Sequence, residues 1–177
     1  LSGSQNNDSL VGGTGTDVVQ QTSGTNQVLT DNQLNGEGLD ALDGIEQANL
    51  SGTETANMID ASAFSLGSVT LNGNAGDDTL IGSLSADTLE GGLGSDRVEQ
   101  TTDGNQILDN SLLTGRGPDS LNSIETALLT GGSGNDLLDA SSFSLGSVTL
   151  EGASGDDTLL GTLLNDDLHG GSGLDRI

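Results

Sequence analysis

The sequence contains no cysteine, tryptophan, tyrosine or lysine and only two phenylalanines among its 177 residues. The missing cysteines exclude disulfide bonds, and the shortage of aromatic residues argues against an ordinary globular core. Only three arginines stand against 27 acidic residues, so the formal net charge is −24. This charge repels nucleic acid and attracts cations. No transmembrane run or signal peptide is evident, so membrane insertion is not expected.

High charge combined with little apolar surface normally predicts a disordered chain, because burial cannot offset the entropy of ordering it. Bound metal is therefore the natural means of holding this chain together. The chain begins at Leu1 without methionine and stops at Ile177 inside a motif, which indicates a segment of a longer protein. The absence of targeting signals therefore carries little weight.

A long internal repeat organises the chain. The segment ASAFSLGSVTLNGNAGDDTLIG, which begins at Ala61, returns as ASSFSLGSVTLEGASGDDTLLG from Ala140, a shift of 79 residues. We expect one continuous domain made of copies 1–79 and 80–158 and a partial third copy, 159–177.

A nine-residue period lies inside each copy and is clearest in GNAGDDTLI (73–81), GSLSADTLE (82–90) and GGLGSDRVE (91–99). Each unit has glycine first, aspartate sixth and an aliphatic residue eighth. Glycine permits the tight backbone of a turn, and a single inward residue suits a very short strand. The period therefore predicts six-residue turns followed by short strands with these buried residues: Leu10, Val19, Leu42, Leu80, Leu89, Val98, Leu121, Leu138, Leu159 and Leu168.

These units resemble the repeats-in-toxin (RTX, haemolysin-type) nonapeptide GGxGxDxUx, which GGLGSDRVE and GGSGNDLLD match in full. The resemblance implies an all-β, right-handed parallel β-roll or β-helix solenoid with two short strands per coil. It also implies several Ca²⁺ ions between stacked turns, and type I secretion with folding outside the cell.

We predict that alternate loops stack in one row, starting at Gly12, Asn35, Gly52, Gly73, Gly91, Thr114, Gly131, Gly152 and Gly170, with about four coils per long repeat. The metal ligands expected from this row are Asp17, Asp40, Asp78, Asp96, Asp119, Asp136, Asp157 and Asp175, with Gly12, Gly73, Gly91, Gly131, Gly152 and Gly170. Weaker candidates are Asp8, Asp87 and Asp166 on the opposite side, and Asn57, which replaces aspartate in its loop.

No catalytic residue is predicted. His169 has no second histidine or cysteine with which to form a zinc site, so an ordinary surface role is expected. Adjacent aspartates such as Asp77 and Asp78 should point in different directions, which argues against a catalytic carboxylate pair. Arg97, Arg116 and Arg176 could bind an acidic sugar, although local ion pairing is the favoured interpretation.

The expected function is that of a calcium-binding structural or adhesive module of an extracellular or cell-surface protein, such as a spacer, adhesin stalk or filament. Calcium is the expected partner, with end-to-end self-association or a cell-surface polysaccharide as further candidates. The alternative is a polysaccharide-binding or polysaccharide-active β-helix of the lyase kind, although such an enzyme needs basic groups that are scarce here. An ice-binding solenoid is also disfavoured, because the outward seventh positions form no regular threonine array.

Overall fold

The structure, a computed structural model, describes all residues from 1 to 177 and is built entirely from short strands and turns. None of the chain forms a helix of the length and apolar character needed to span a membrane. The strands are β1 (Ser9–Val11), β2 (Val18–Thr22), β3 (Gln27–Thr30), β4 (Gln33–Asn35), β5 (Leu39–Asp43), β6 (Gln47–Ser51), β7 (Met58–Ala63), β8 (Val69–Ala75), β9 (Thr79–Ile81), β10 (Thr88–Leu93), β11 (Arg97–Thr101), β12 (Gln106–Asp109), β13 (Leu112–Thr114), β14 (Asp119–Asn122), β15 (Thr126–Thr130), β16 (Leu137–Ser142), β17 (Val148–Glu151), β18 (Thr158–Leu160) and β19 (Asp167–His169).

The strands form two sheets, and the chain crosses from one sheet to the other after most strands. The ten-stranded sheet has the order β1-β5-β4-β3-β7-β9-β11-β15-β17-β19, and the nine-stranded sheet has the order β18-β16-β12-β13-β14-β10-β8-β6-β2. Pairing is parallel outside two hairpins, as between β7 and β9 and between β8 and β10. The prediction of an all-β parallel solenoid is therefore confirmed.

The core lies between the two sheets and consists of 27 buried apolar residues in one cluster. Eight of the ten predicted inward residues are buried, while Leu10 and Leu168 are partly buried against the same cluster. Phe64 and Phe143 occupy equivalent core positions in the two copies and are 0% and 2% exposed. Inward alternation along each strand therefore supplies a continuous core from very few apolar residues.

Two antiparallel double hairpins, each of three strands, interrupt the regular coil. Strands β3, β4 and β5 form one meander in the ten-stranded sheet, and β12, β13 and β14 form its repeat equivalent in the nine-stranded sheet. Buried Gln27 and Gln106 lie at the start of these meanders and donate side-chain hydrogen bonds to the carbonyls of Ser51 and Thr130, both at 2.8 Å. These buried amides satisfy backbone acceptors of the neighbouring coil where the chain leaves its regular path.

Equivalent strands of consecutive copies lie in opposite sheets, which the sequence analysis did not predict. Strand β1 belongs to the ten-stranded sheet, whereas β10, 79 residues later, belongs to the nine-stranded sheet; β2 and β11 show the reverse exchange. The chain passes through seven half-coils and one hairpin per repeat rather than through four whole coils. Consecutive copies are consequently related by half a coil.

The predicted single row of loops beginning at Gly12 is wrong. The loops that end at Asp78 and Asp96 precede strands of the ten-stranded sheet, whereas those that end at Asp136 and Asp157 precede strands of the nine-stranded sheet. The row changes side at each 23-residue step, because that step contains part of a hairpin. The acidic loops therefore form short ladders on both sides of the solenoid.

Candidate metal centre

In most of the acidic loops the sixth residue is held by the loop one coil further on. Its backbone N–H donates to a side-chain oxygen in that loop: Asp78 donates to Asp96 Oδ1 at 2.8 Å, and Asp157 donates to Asp175 Oδ1 at 3.0 Å. Asn57 donates to Asp78 Oδ1 and Asp136 donates to Asp157 Oδ1 in the same way. One carboxylate oxygen of each aspartate in the ladder thus joins two coils and is already satisfied.

The other carboxylate oxygen often has no partner. Oδ2 is buried without a hydrogen bond in Asp17, Asp40, Asp78, Asp96 and Asp157. Asp78, Asp96 and Asp157 are at most 1% exposed. An ionised oxygen buried in this way is costly unless a cation or a donor faces it.

The first glycine of the loop keeps space beside this unpaired oxygen. A Cβ added to Gly73 would clash with Asp78 Oδ2 of its own loop and with the carbonyl oxygen of Gly91 in the next loop. At Gly152 the same position is shared by Asp157 Oδ2 and the Gly170 carbonyl oxygen. A carboxylate oxygen and a carbonyl oxygen from adjacent coils therefore lie close together beside the glycine. Both are hydrogen-bond acceptors.

Five of the acidic loops share a backbone conformation that the other loops lack. In the loops 12–17, 73–78, 91–96, 152–157 and 170–175, the second and fourth residues both have positive φ. We call these the open loops. The residue in second place is Gly13, Asn74, Gly92, Ala153 or Gly171, with φ between 72° and 107°. Glycine adopts this conformation freely, whereas a residue with a Cβ adopts it at a cost.

The pKa values of some carboxylates in the ladders are raised, because these groups are buried and lie close to one another. Burial raises the pKa of Asp78 above its usual range, and the neighbouring Asp77 adds to the shift. Burial also raises the pKa of Asp96, with contributions from Asp78 and Glu125. These shifts show that the ionised form is disfavoured until positive charge is supplied.

The remaining predicted aspartates lie in different settings. Asp40 accepts the Asp8 N–H at 2.9 Å, and Asp119 accepts the Asp87 N–H at 3.0 Å, so each pairs with a residue assigned to the opposite side. Burial raises the pKa of Asp119 to about 6.

Asp136 lies in the fully matching loop GGSGND, yet both of its oxygens are bonded. Its Oδ2 accepts the Gly132 N–H at 2.8 Å, and its Oδ1 accepts the Gly104 N–H at 2.6 Å. Gly131 still provides the space beside Asp136 Oδ2 and the Gly152 carbonyl. Agreement with the nonapeptide motif therefore does not by itself leave a free ligand oxygen.

Two glutamates extend the ladders and were missed by the sequence analysis. Asp17 donates its N–H to Glu46 Oε2, and Asp96 donates to Glu125 Oε2, both at 2.9 Å. Gly12 and Gly91 each leave space that faces a carbonyl of the same neighbouring turn, at Gly44 and Ser123. The repetition of Ile-Glu at 45–46 and 124–125 was the available signal for these residues.

Asn57 differs from the aspartates in what it presents to the gap between coils. Its Oδ1 accepts the Thr53 N–H at 2.9 Å, while its Nδ2 is buried without an acceptor. Asn57 Oδ1 lies with the Gly73 carbonyl oxygen beside Gly52, so an uncharged amide oxygen replaces the carboxylate oxygen there, and the weaker binding expected of Asn57 stays a prediction.

No group of three or more carboxylate or histidine side chains converges on one point. The gaps beside Gly73 and Gly152 instead combine one unpaired carboxylate oxygen with a backbone carbonyl oxygen. A donor set made only of oxygen suits a hard cation such as Ca²⁺, which takes both carboxylate and carbonyl ligands. His169 is exposed beside Asp167, at 3.0 Å, and takes no part in the ladders.

The fold and its loops define a parallel β-solenoid whose coils are joined through acidic, glycine-rich turns. The chain matches the RTX calcium-binding nonapeptide repeat in four copies, over residues 1–20, 70–98, 128–143 and 148–177, which together cover more than half of it. The protein therefore belongs to the family of RTX calcium-binding repeats. No curated protein matches the chain significantly.

Proposed function

We propose that this chain is a calcium-stiffened structural rod in which ions lie between consecutive coils, beside the open loops. The carrying observation is the set of buried, unpaired carboxylate oxygens, of which Asp78 Oδ2, facing the Gly91 carbonyl across one coil spacing, is the clearest example. The strongest ligand candidates are Asp17, Asp78, Asp96 and Asp157, together with the glycines that begin their loops. Asp40, Asp119, Asp136 and Asp175 remain candidates.

The charge of the chain supports the binding of several ions. Seven aspartates are buried, and no lysine is present to neutralise them. Each divalent ion held by oxygens of two coils would both offset buried negative charge and join those coils. Copies 1–79, 80–158 and 159–177 then act as one continuous rod, in keeping with the single core cluster.

The setting proposed for this rod is extracellular or at the cell surface, where it serves as an adhesive stalk, spacer or filament. Calcium at millimolar concentration suits oxygen sites of modest affinity, whose dissociation constants are about 10⁻⁴ to 10⁻³ M in extracellular modules. Strands β2 and β18 of the nine-stranded sheet are bonded on their outer sides by Leu1 and Arg176, whereas β1 and β19 end the ten-stranded sheet with no strand on their outer sides. Such edges favour pairing with a further coil, including one from a second molecule.

A polysaccharide-active enzyme is the less favoured alternative. Arg97 Nε lies 3.1 Å from Glu99 Oε1, and Arg116 donates to the Ser62 carbonyl at 2.7 Å. Two of the three arginines are therefore engaged within the fold rather than gathered into a site that could neutralise an acidic sugar.

A calcium titration followed by circular dichroism and calorimetry tests the proposed function. The calcium-free chain should be largely disordered and should gain β-structure with a midpoint of about 10⁻⁴ to 10⁻³ M. Asp78→Asn keeps the shape of the side chain and an acceptor for the Asn57 N–H, but should raise this midpoint at least tenfold.

Asp43→Asn is the matched control, because Asp43 is exposed on β5 and should leave the midpoint unchanged. A complete β-spectrum in calcium-free buffer, or equal midpoints for the two variants, would contradict the proposal.

A further inference from the structure

Three acidic loops differ from the open loops in their second residue. In loops 3–8, 82–87 and 161–166 this residue is Ser4, Ser83 or Thr162, and none of the three has positive φ. We call these the capped loops. They are repeat equivalents, 79 residues apart, so one capped loop occurs at the same place in every copy.

The hydroxyl group of the second residue closes each capped loop onto its own aspartate. Ser83 donates its N–H to Asp87 Oδ2 at 2.6 Å and its hydroxyl to Asp87 Oδ1 at 2.9 Å. Thr162 donates to Asp166 in the same way, at 2.7 and 2.9 Å. Ser4 does so in the first copy, with its hydroxyl 2.9 Å from Asp8 Oδ2.

Asp87 and Asp166 have a donor on each oxygen, whereas in the first copy both Ser4 donors fall on Asp8 Oδ2. Asp87 Oδ1 also accepts the Val69 N–H from the adjacent coil at 2.8 Å, so three donors surround this carboxylate. In the open loop 91–96, by contrast, Asp96 Oδ2 is buried without any donor. Asp87 and Asp96 are equally withdrawn from solvent, at 3% and 0% exposure, so the difference lies in their hydrogen-bond partners.

We propose that the hydroxyl groups of Ser83 and Thr162 take the place of a metal ion, so that loops 82–87 and 161–166 are metal-free turns and calcium is confined to other loops. A hydroxyl and an amide that both point at the carboxylate supply the positive partner that a cation supplies elsewhere. A cation at Asp87 would have to displace the Ser83 hydroxyl and approach its hydrogen-bond donors. This inference rests on the proposed calcium function of the open loops.

The arrangement places the two kinds of loop on opposite sides of the same coil. Open loops 73–78 and 91–96 precede strands β9 and β11 of the ten-stranded sheet, and the capped loop 82–87 between them precedes β10 of the nine-stranded sheet. One side of this coil should therefore hold ions, while the other is held by side-chain hydrogen bonds that need no calcium.

The test compares Asp87→Asn with Asp96→Asn, because both positions are the sixth of their loops, both are buried and both precede neighbouring strands along the chain. Bound calcium is counted by equilibrium dialysis with atomic absorption, and the folding midpoint is read by circular dichroism. Asp96→Asn should lose at least one ion and shift the midpoint tenfold or more. Asp87→Asn should retain the wild-type ion count.

Loss of an ion in Asp87→Asn would overturn the metal-free assignment and leave the proposed calcium function standing. An unchanged ion count in Asp96→Asn would instead refute the calcium function of the open loops. Because either variant could fail to fold, crystals of the wild-type chain soaked with Tb³⁺ in place of calcium give a second measurement. Anomalous density should lie beside Asp78 and Asp157, and density beside Asp87 or Asp166 would refute the proposal.

Discussion

Asp119 provides a quantitative test of the idea that buried carboxylates oppose folding without metal. Its side chain begins β14, is 2% exposed and accepts the Asp87 N–H at 3.0 Å. Burial raises its pKa from 3.8 to about 6, and the nearby Asp87 charge adds to the shift while Arg116 opposes it. Between pH 3.8 and 6 the folded state therefore holds a proton on Asp119 that the unfolded chain releases.

The sign of the pH effect follows from this difference. Between pH 3.8 and 6 the folded state binds the proton more tightly, so lowering the pH stabilises the metal-free fold. Above pH 6 both states are ionised, and the cost of the buried charge is fully present. A shift of about two pKa units corresponds to about 3 kcal/mol. Burial raises the pKa values of Asp78, Asp87 and Asp96 in the same direction.

The assay is circular dichroism of the chain in calcium-depleted buffer, with enough osmolyte to bring it near its folding midpoint at pH 7.5. Lowering the pH to 5 should increase β-structure. Asp119→Asn, which keeps an acceptor for the Asp87 N–H, should be more stable than wild type by about 3 kcal/mol at pH 7.5, and this difference should disappear below pH 4.

Asp43→Asn, at an exposed strand position, is the control and should follow the wild-type curve. A metal-free chain that loses structure as the pH falls from 7.5 to 5 would refute the reasoning, as would an Asp119→Asn variant identical to wild type.

Three further substitutions, two of them with a matched control, test the local geometry by chemical denaturation in saturating calcium. Gly91→Ala should prevent normal stacking, because its Cβ would clash with Asp96 and the Ser123 carbonyl, whereas Gly24→Ala has room and should change stability by less than about 0.5 kcal/mol. Ala153→Gly should stabilise the fold by about 1 kcal/mol, because Ala153 has a φ of 72°. Leu80→Ala should cost about 2 to 5 kcal/mol at a fully buried site, while Leu84→Ala, at a side chain that is 52% exposed, should be nearly neutral. Equal effects within either matched pair would contradict the geometry.

The nine-residue period was sufficient to predict short strands and most of the core, and its resemblance to the RTX nonapeptide implied the parallel solenoid. Glycine first and an aliphatic residue eighth describe a local unit, and the burial of Leu80, Leu89 and Val98 depends on little beyond that unit. The stacking order could not be predicted in the same way, because it depends on which strand pairs with which. The hairpin strands β4 and β13 add residues without crossing between sheets, and counting residues cannot distinguish a longer turn from such a hairpin.

Whether a carboxylate keeps an unpaired oxygen could likewise not be predicted from the nonapeptide pattern. Asp136 lies in a full match, yet both of its oxygens are bonded. Asp78 lies in the less regular loop GNAGDD and keeps a buried free oxygen. The difference arises from the φ angle of the second residue and from the neighbouring coil, and neither is encoded by the sixth residue itself.

The half-coil relation between copies accounts for how the solenoid accommodates its hairpins. A hairpin gives its sheet two strands more than a simple crossing would, which lengthens that sheet by about 10 Å at a strand spacing of about 4.8 Å. If a copy contained a whole number of coils, every hairpin would fall in the same sheet, and that sheet would outgrow the other with each repeat. The odd number of half-coils instead places β3–β5 in one sheet and β12–β14 in the other, so the totals stay at ten and nine.

The same half-coil relation between copies distributes the open loops over both sides of the solenoid. They lie on the ten-stranded side at 73–78 and 91–96 and on the nine-stranded side at 12–17, 152–157 and 170–175. The capped loops also change sides: 82–87 precedes β10 of the nine-stranded sheet, and 161–166 precedes β19 of the ten-stranded sheet. Ions bound at the open loops would therefore join coils on alternate sides of the rod. A rod joined by ions on one side alone would keep a flexible edge along its whole length, whereas here each side has open loops in turn.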